Sequence, residues 1–234
     1  MKKILILFLL LLPSIVRSQD GSTSSQKNYW KSASELIFSW GNVKDGSKDI
    51  SSVIRFSMFF HFQEQYHIDM NEHFGVWLGF GIRNVGMIND ISDSVKLKQR
   101  SYSFGVPIAF KIGNLPKNMY ASIGGEAELM FHYKQKAFYD DTKYRKSEWF
   151  SDRTNLINPS VFLDLNFKKG AYIRFKYYLL DFLVENKQTI SVDGTKIDYT
   201  PEQSQLFYVA FGMALNHKDK HPKVVIEDAA YSMY

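Results

Sequence analysis

Glu126, Glu128 and His132 sit two and four residues apart in a stretch that alternates polar and apolar side chains, which puts all three on one face of a strand. Two carboxylates and an imidazole on one face are general acid–base or metal-ligand chemistry. Along a strand, however, Glu128 and His132 are about 13 Å apart, too far for one ion to bridge. No metal is therefore expected. The other ionisable residues at alternating positions are Arg55, His61, Arg83, Lys111, Asp164, Arg174 and Lys176. They give cations enough to face Glu126, Glu128 and Asp164. The expectation is a network of ion pairs, Arg55, Arg83, Lys111, Glu126, Glu128, Asp164, Arg174 and Lys176, inside a closed structure, because unpaired buried charge costs several kcal/mol.

The elements that would hold such a network are strands. Eight segments alternate with period two: about 34–42, 51–64, 74–84, 99–112, 119–133, 157–168, 171–183 and 204–215. In 99–112, Tyr102, Phe104, Val106, Ile108, Phe110 and Ile112 oppose Ser101, Ser103, Gly105, Pro107, Ala109 and Lys111. Segments of about 10–14 residues exceed the usual soluble strand and suffice to cross a hydrocarbon core at a tilt. Short connections near 113–118 and 169–170 alternate with long polar ones near 86–98, 134–154 and 185–203. The fold expected is all-β, an eight-stranded antiparallel up-and-down transmembrane β-barrel, apolar outside and polar inside. Trp40, Phe74, Tyr102, Tyr133 and Tyr177 fall near strand ends, where interfacial aromatic girdles belong. Pro107 lacks a ladder donor and suggests a local bulge.

The chain has 234 residues, no cysteine, 16% aromatics and a net charge of +5. Without cysteine there is no disulfide scaffold, thiolate metal site or cysteine nucleophile. Met1-Lys2-Lys3, the apolar run Ile4–Leu12, Pro13 and Val16-Arg17-Ser18 read as a secretory signal peptide over 1–18. Removing Lys2, Lys3 and Arg17 takes the basic count from 29 to 26 against 24 acidic residues, a net +2. That near balance and export together argue against nucleic acid. The expected organisation is signal peptide 1–18, flexible periplasmic leader 19–33, outer-membrane barrel 34–216 and periplasmic tail 217–234.

Phrases such as Ser103-Phe104-Gly105-Val106-Pro107-Ile108, Tyr120-Ala121-Ser122-Ile123-Gly124-Gly125-Glu126 and Ala171-Tyr172-Ile173-Arg174-Phe175-Lys176-Tyr177-Tyr178 carry a resemblance over residues 34–216. The chain resembles the outer-membrane β-barrel domain family of Bacteroidota, the PorT-like proteins among them. The resemblance implies the eight-stranded barrel and outer-membrane location; its link to secretion does not transfer on pattern alone.

No G-x-S-x-G, H-E-x-x-H or phosphate-loop motif occurs. The expected function is non-enzymatic: a structural or accessory subunit of an outer-membrane complex for secretion, assembly or transport, with no cofactor. Its expected partners are outer-membrane lipids, lipopolysaccharide and another outer-membrane or periplasmic protein. A lipid-modifying enzyme, using Ser151, Asp152 and Tyr139 with His132, or a small-ligand carrier in the barrel mouth are the alternatives. Arg100, Tyr139, Tyr144, Arg145, Lys146, Trp149 and Phe150, with Lys98 nearby, are the candidate contacts to lipopolysaccharide or a partner.

Overall fold

β-branched and aromatic residues at every second position cannot satisfy a helix, and the chain folds almost wholly as strands. The computed structural model describes residues 27–216, apart from 93, 141, 186, 187, 189, 193, 194 and 198. The expected signal peptide and C-terminal tail lie outside the described residues. β1 (Lys27–Asp45) rises from one rim, and β2 (Lys48–Val53), β3 (Arg55–Ser57) and β4 (Phe62–Asp69) descend as one interrupted stave. β5 (Phe74–Ser92) rises, β6 (Val95–Asn114) descends and β7 (Met119–Tyr139) rises. β8 (Thr142–Trp149) and β9 (Ile157–Asn166) descend, β10 (Ala171–Tyr178) rises, and β13 (Gln203–Asn216) returns. A small hairpin, β11 (Ile190–Val192) and β12 (Thr195–Ile197), lies in the last crossing loop.

Closure comes from β1. It pairs antiparallel with β13 from Lys31↔Asn216 to Lys44↔Gln203, and on its other edge with β2, β3 and β4. Consecutive staves also pair antiparallel all the way round. Eight staves thus form a closed up-and-down barrel, its ladder interrupted where residues 58–61 break the second stave and β3 has no partner on β5 among the described residues.

The outer surface is apolar over a defined height. On β6 the outward Phe104, Val106, Ile108, Phe110 and Ile112 are 40–67% exposed. Comparable rings stand on other staves, among them Phe80 and Ile82 on β5, Val161 and Leu163 on β9, and Phe211 and Met213 on β13. From Tyr102 to Ile112 a strand climbs about 34 Å, or about 26 Å of height at a 40° tilt, the band of a membrane-spanning barrel. A water-soluble protein does not display a continuous belt of this size.

Above the belt the faces invert. The outward positions of β6 become Arg100, Lys98 and Lys96, while inward Leu97 and Val95 are buried. Val85, Met87, Ile91, Tyr133, Phe182, Ile190, Tyr199 and Leu206 join them in an apolar core within the upper barrel. The segments expected as long loops at 86–98 and 134–154 are therefore extended hairpins, paired out to Ser92↔Val95 and Tyr139↔Thr142. Their side chains bury an apolar core inward and meet water outward, so the strands continue. Among the described residues, the long connection at that rim is the one between Tyr178 and Gln203. The barrel also starts earlier than expected, since 27–33 of the expected leader pair with β4.

Two irregularities reset the faces. Tyr102 pairs with His132 but Ser103 with Met130, leaving Phe131 as an extra residue. This bulge turns His132 outward and Tyr133 inward, opposite to the expectation from strict alternation. In the second stave, four residues (58–61) face two on β1, and Phe60 takes φ +66°. Met58, Phe59 and Phe60 all turn outward as a result. Pro107 sits in β6 without a bulge. The ladder to β5 skips from Leu78↔Ile108 to Gly81↔Gly105, so the missing donor falls in that gap.

Candidate functional site

Inward positions on odd-numbered staves meet across the lumen. Glu35 (β1), Arg83 (β5), Glu126 and Glu128 (β7), and Arg174 and Lys176 (β10) form one buried network with Asp164 (β9) and Gln63 (β4). Arg174 grips Asp164 through Nε and Nη2 at 2.7 and 2.8 Å, and its Nη1 reaches Glu35 at 2.6 Å. Arg83 bridges Glu126 and Glu35, the latter at 3.3 Å. Lys176 bridges Glu126 (2.6 Å) and Glu128. Gln63 Oε1 accepts from both guanidiniums at 3.0 Å, and Tyr172 and Tyr178 donate to Glu35 and Glu128 at 2.9 Å. These bridges run from wall to wall across the lumen.

Six of the eight residues expected in an interior network lie in this one. Lys111 belongs to a separate cluster near the lower rim. It pairs with Asp69 and lies 3.1 Å from His67 Nδ1, while Lys31 donates to Asn118 at 2.7 Å. Arg55 stands apart too. It is 1% exposed and donates to the Asn84 carbonyl (3.1 Å) and side chain (2.8 Å), in the break between β3 and β5. Sequence reasoning missed Glu35, Lys31, Asp69 and His67. Counting parity back from Ile37 and Ser39 would have found Glu35; the others lay in segments read as leader or turn.

Among the described residues there are two serine–histidine pairs. Ser57 Oγ lies 2.8 Å from His61 Nε2. His61 Nδ1 accepts the Asn84 N–H at 3.3 Å, so Nε2 carries the proton and cannot take one from Ser57. Ser147 Oγ lies 2.8 Å from His132 Nε2 on the outer surface, where His132 stacks on Trp149 at 4.2 Å. No carboxylate contact to His132 occurs among the described residues. Ser151 donates to Glu148 at 2.6 Å. No group of metal-ligating side chains occurs among the described residues.

The outer surface above the belt carries charge of one sign. Register places Lys98, Lys136 and Arg145 in one outward row across β6, β7 and β8. The row below it holds Arg100, Lys134 and Ser147, and the next Tyr102, His132 and Trp149. Arg100 and Lys134 lie over the Tyr102 ring at 5.7 and 5.2 Å. Partial burial, then Lys143, Arg100, Arg145 and Lys134, hold the Lys136 ammonium below its ordinary value; burial, then Arg55, Arg100, Lys136 and Lys143, do the same for Lys98. Of the expected contact residues, Arg100, Arg145 and Trp149 belong to this face. Tyr144 packs inward against the upper core, and Lys146 pairs with Glu148 at 2.9 Å. Tyr139 and Phe150 lie exposed at strand ends.

The closed ladder, apolar belt and charged lumen together define an eight-stranded transmembrane β-barrel. No family model matches the sequence, and no curated protein does. Among solved structures, the chain is similar to Ail, the attachment invasion locus protein of Yersinia pestis, in complex with the heparin analogue sucrose octasulfate. That likeness has 14% identity, a TM-score of 0.37, and covers 80% of this chain and 99% of that one. Neisserial surface protein A matches at 8% identity and TM-score 0.39, over 81% and 97%. The N-terminal β-barrel domain of Pseudomonas aeruginosa OprF matches at 7% and 0.34, over 81% and 100%.

Proposed function

We propose that this chain is a non-enzymatic barrel of the bacterial outer membrane, serving as a structural or accessory subunit of an outer-membrane complex. The observation that carries this reading is the lumen bridged at mid-height by Glu35, Arg83, Glu126, Arg174 and Lys176, which leaves the rims and the outer face as working surfaces. The edge of β8 supports it further. Among the described residues β8 has a strand partner on one side only, β7, so its other edge above the belt can accept a strand from another protein. The resemblance of residues 34–216 to the Bacteroidota outer-membrane barrels agrees with the location. Purification from native membranes in mild detergent recovers a stoichiometric partner on this reading. A lone barrel overturns the subunit role, and recovery in the soluble fraction overturns the membrane location.

The Ser147–His132 pair favours a second reading, a lipid-active enzyme at the membrane edge. Mass spectrometry of membrane lipids with and without the gene separates the two: an altered acyl or headgroup profile supports the enzyme, and identical profiles remove it.

A further inference from the structure

Cations placed directly across a sheet from one another repel, and a protein surface normally intersperses acids among them. Here Lys98 faces Lys136, Lys136 faces Arg145 and Arg100 faces Lys134. None of these five cations makes an ion pair among the described residues, whereas nearby Lys96 pairs with Asp90 at 3.6 Å and Lys146 with Glu148. With strands about 4.8 Å apart and successive outward residues about 7 Å apart, the cations tile a patch of about 10 by 7 Å. That is the footprint of a phosphorylated headgroup.

The position of the patch identifies the amphiphile. Directly below it lie Tyr102, His132 and Trp149, stacked with Phe131 at ring separations of 4.2–6.4 Å. Below those begins the apolar belt, with Phe104 40% and Ile157 61% exposed. A ligand fitting all three levels is anionic at the top, amphipathic in the middle and hydrocarbon beneath.

We propose that the outward face of β6, β7 and β8 is a binding site for a phosphate-bearing anionic lipid. Its phosphate sits among Lys98, Arg100, Lys134, Lys136 and Arg145, and its acyl chains lie against the belt. The site rests on the membrane reading above but requires neither a protein partner nor the absence of enzymatic activity. The bound anion replaces the missing acids, so the repulsion that weakens the empty face is relieved when lipid binds.

The test uses the full chain refolded in zwitterionic detergent, compared with Lys98→Gln/Lys136→Gln/Arg145→Gln. Each receives phosphatidylglycerol or phosphatidylcholine of equal chain length, with native mass spectrometry counting bound lipid and circular dichroism reading the melting temperature. The parent is expected to retain phosphatidylglycerol in preference to phosphatidylcholine and to melt higher with it. The variant is expected to bind it roughly a hundredfold more weakly, about fivefold per cation removed. Without lipid the variant is expected to melt at or above the parent. Equal retention of both lipids by the parent overturns the proposal while leaving the membrane reading intact. Uptake of neither lipid, with no heat-modifiable migration on gels, overturns both. A variant melting well below the parent without lipid makes the row structural and also overturns the proposal, as does a soluble sulfated polysaccharide binding more tightly than phosphatidylglycerol.

Discussion

Replacing Arg174 with methionine isolates the role of the interior charges. Asp164 takes both of its hydrogen bonds among the described residues from this one guanidinium, at 2.7 and 2.8 Å. Glu35 loses Arg174 but keeps Arg83 and Tyr172. Arg174→Met therefore leaves one fully buried carboxylate with no donor, a defect that costs about 3–5 kcal/mol. The unfolding equilibrium then moves by roughly two to four powers of ten. Lys176→Met should cost less, about 1.5–3 kcal/mol, because Glu126 retains Arg83 and Glu128 retains Tyr178 and Ser103. Removing charge from both partners, as Arg174→Met with Asp164→Leu, should recover part of that loss and settle about 1.5–3 kcal/mol below the parent, since Asp164 no longer stands unpaired while Glu35 still lacks one donor. Denaturant unfolding in detergent micelles, followed by the fluorescence of lumen-facing Trp77 and by heat-modifiable gel migration, measures all three. If Arg174→Met lies within about 0.5 kcal/mol of the parent, or is milder than Lys176→Met, the reasoning from unpaired carboxylates is refuted.

Three further outcomes are expected. In planar bilayers the parent should give no channel openings, because the network bridges the lumen; regular conductance steps would contradict this. Gly212→Ala should destabilise the barrel by about 1–3 kcal/mol, since a Cβ there meets the packed Tyr172 ring, whose hydroxyl holds Glu35; an unchanged denaturation midpoint would show that the ring moves freely. Burial pushes the Glu148 carboxyl up, but Ser151, Lys146 and Arg153 outweigh it and hold it below the ordinary carboxylate value. Its anchoring of Ser151 and Arg153 is thus fully present above about pH 4.3 and lost as pH falls through the lower folded value. Amide exchange around 150–154 should quicken only on that acid side, and a flat profile there would contradict the assignment.

Within the belt the architecture was legible because one rule holds there: every second residue meets hydrocarbon. Ile112 to Tyr102 on β6 obey it without exception, and so do the interior positions Arg83, Glu126, Asp164 and Arg174. Past Tyr102 the solvent changes, so the same strand swaps which face is apolar. A reading that equates polar stretches with loops ends the strand at that point, as it did at 86–98 and 134–154. The extra residue Phe131 was illegible for a different reason. A bulge changes parity without changing composition, so His132 and Tyr133 exchanged sides unannounced. The basic face follows from both effects. Arg100 falls at the end of the expected strand 99–112 and the other cations in the expected loops 86–98 and 134–154, but their alignment into rows depends on a register that only strand pairing sets.

The extended hairpins also bear on how the barrel enters a bilayer. Both ends of the described chain, Lys27 and Asn216, lie at the rim opposite the hairpin tips. A barrel inserting with its ends trailing must carry Lys96, Lys98, Arg100, Lys134, Lys136, Lys143 and Arg145 through the hydrocarbon. Each lysine or arginine costs about 2–4 kcal/mol at the midplane. Taken singly these are modest, but the tips of β5–β6 and β7–β8 cross as units, so the costs accumulate into a kinetic barrier for unaided insertion. The surface that favours the finished barrel at the membrane edge is therefore the one that slows its arrival, and efficient assembly calls for a catalyst that thins or opens the bilayer ahead of those tips.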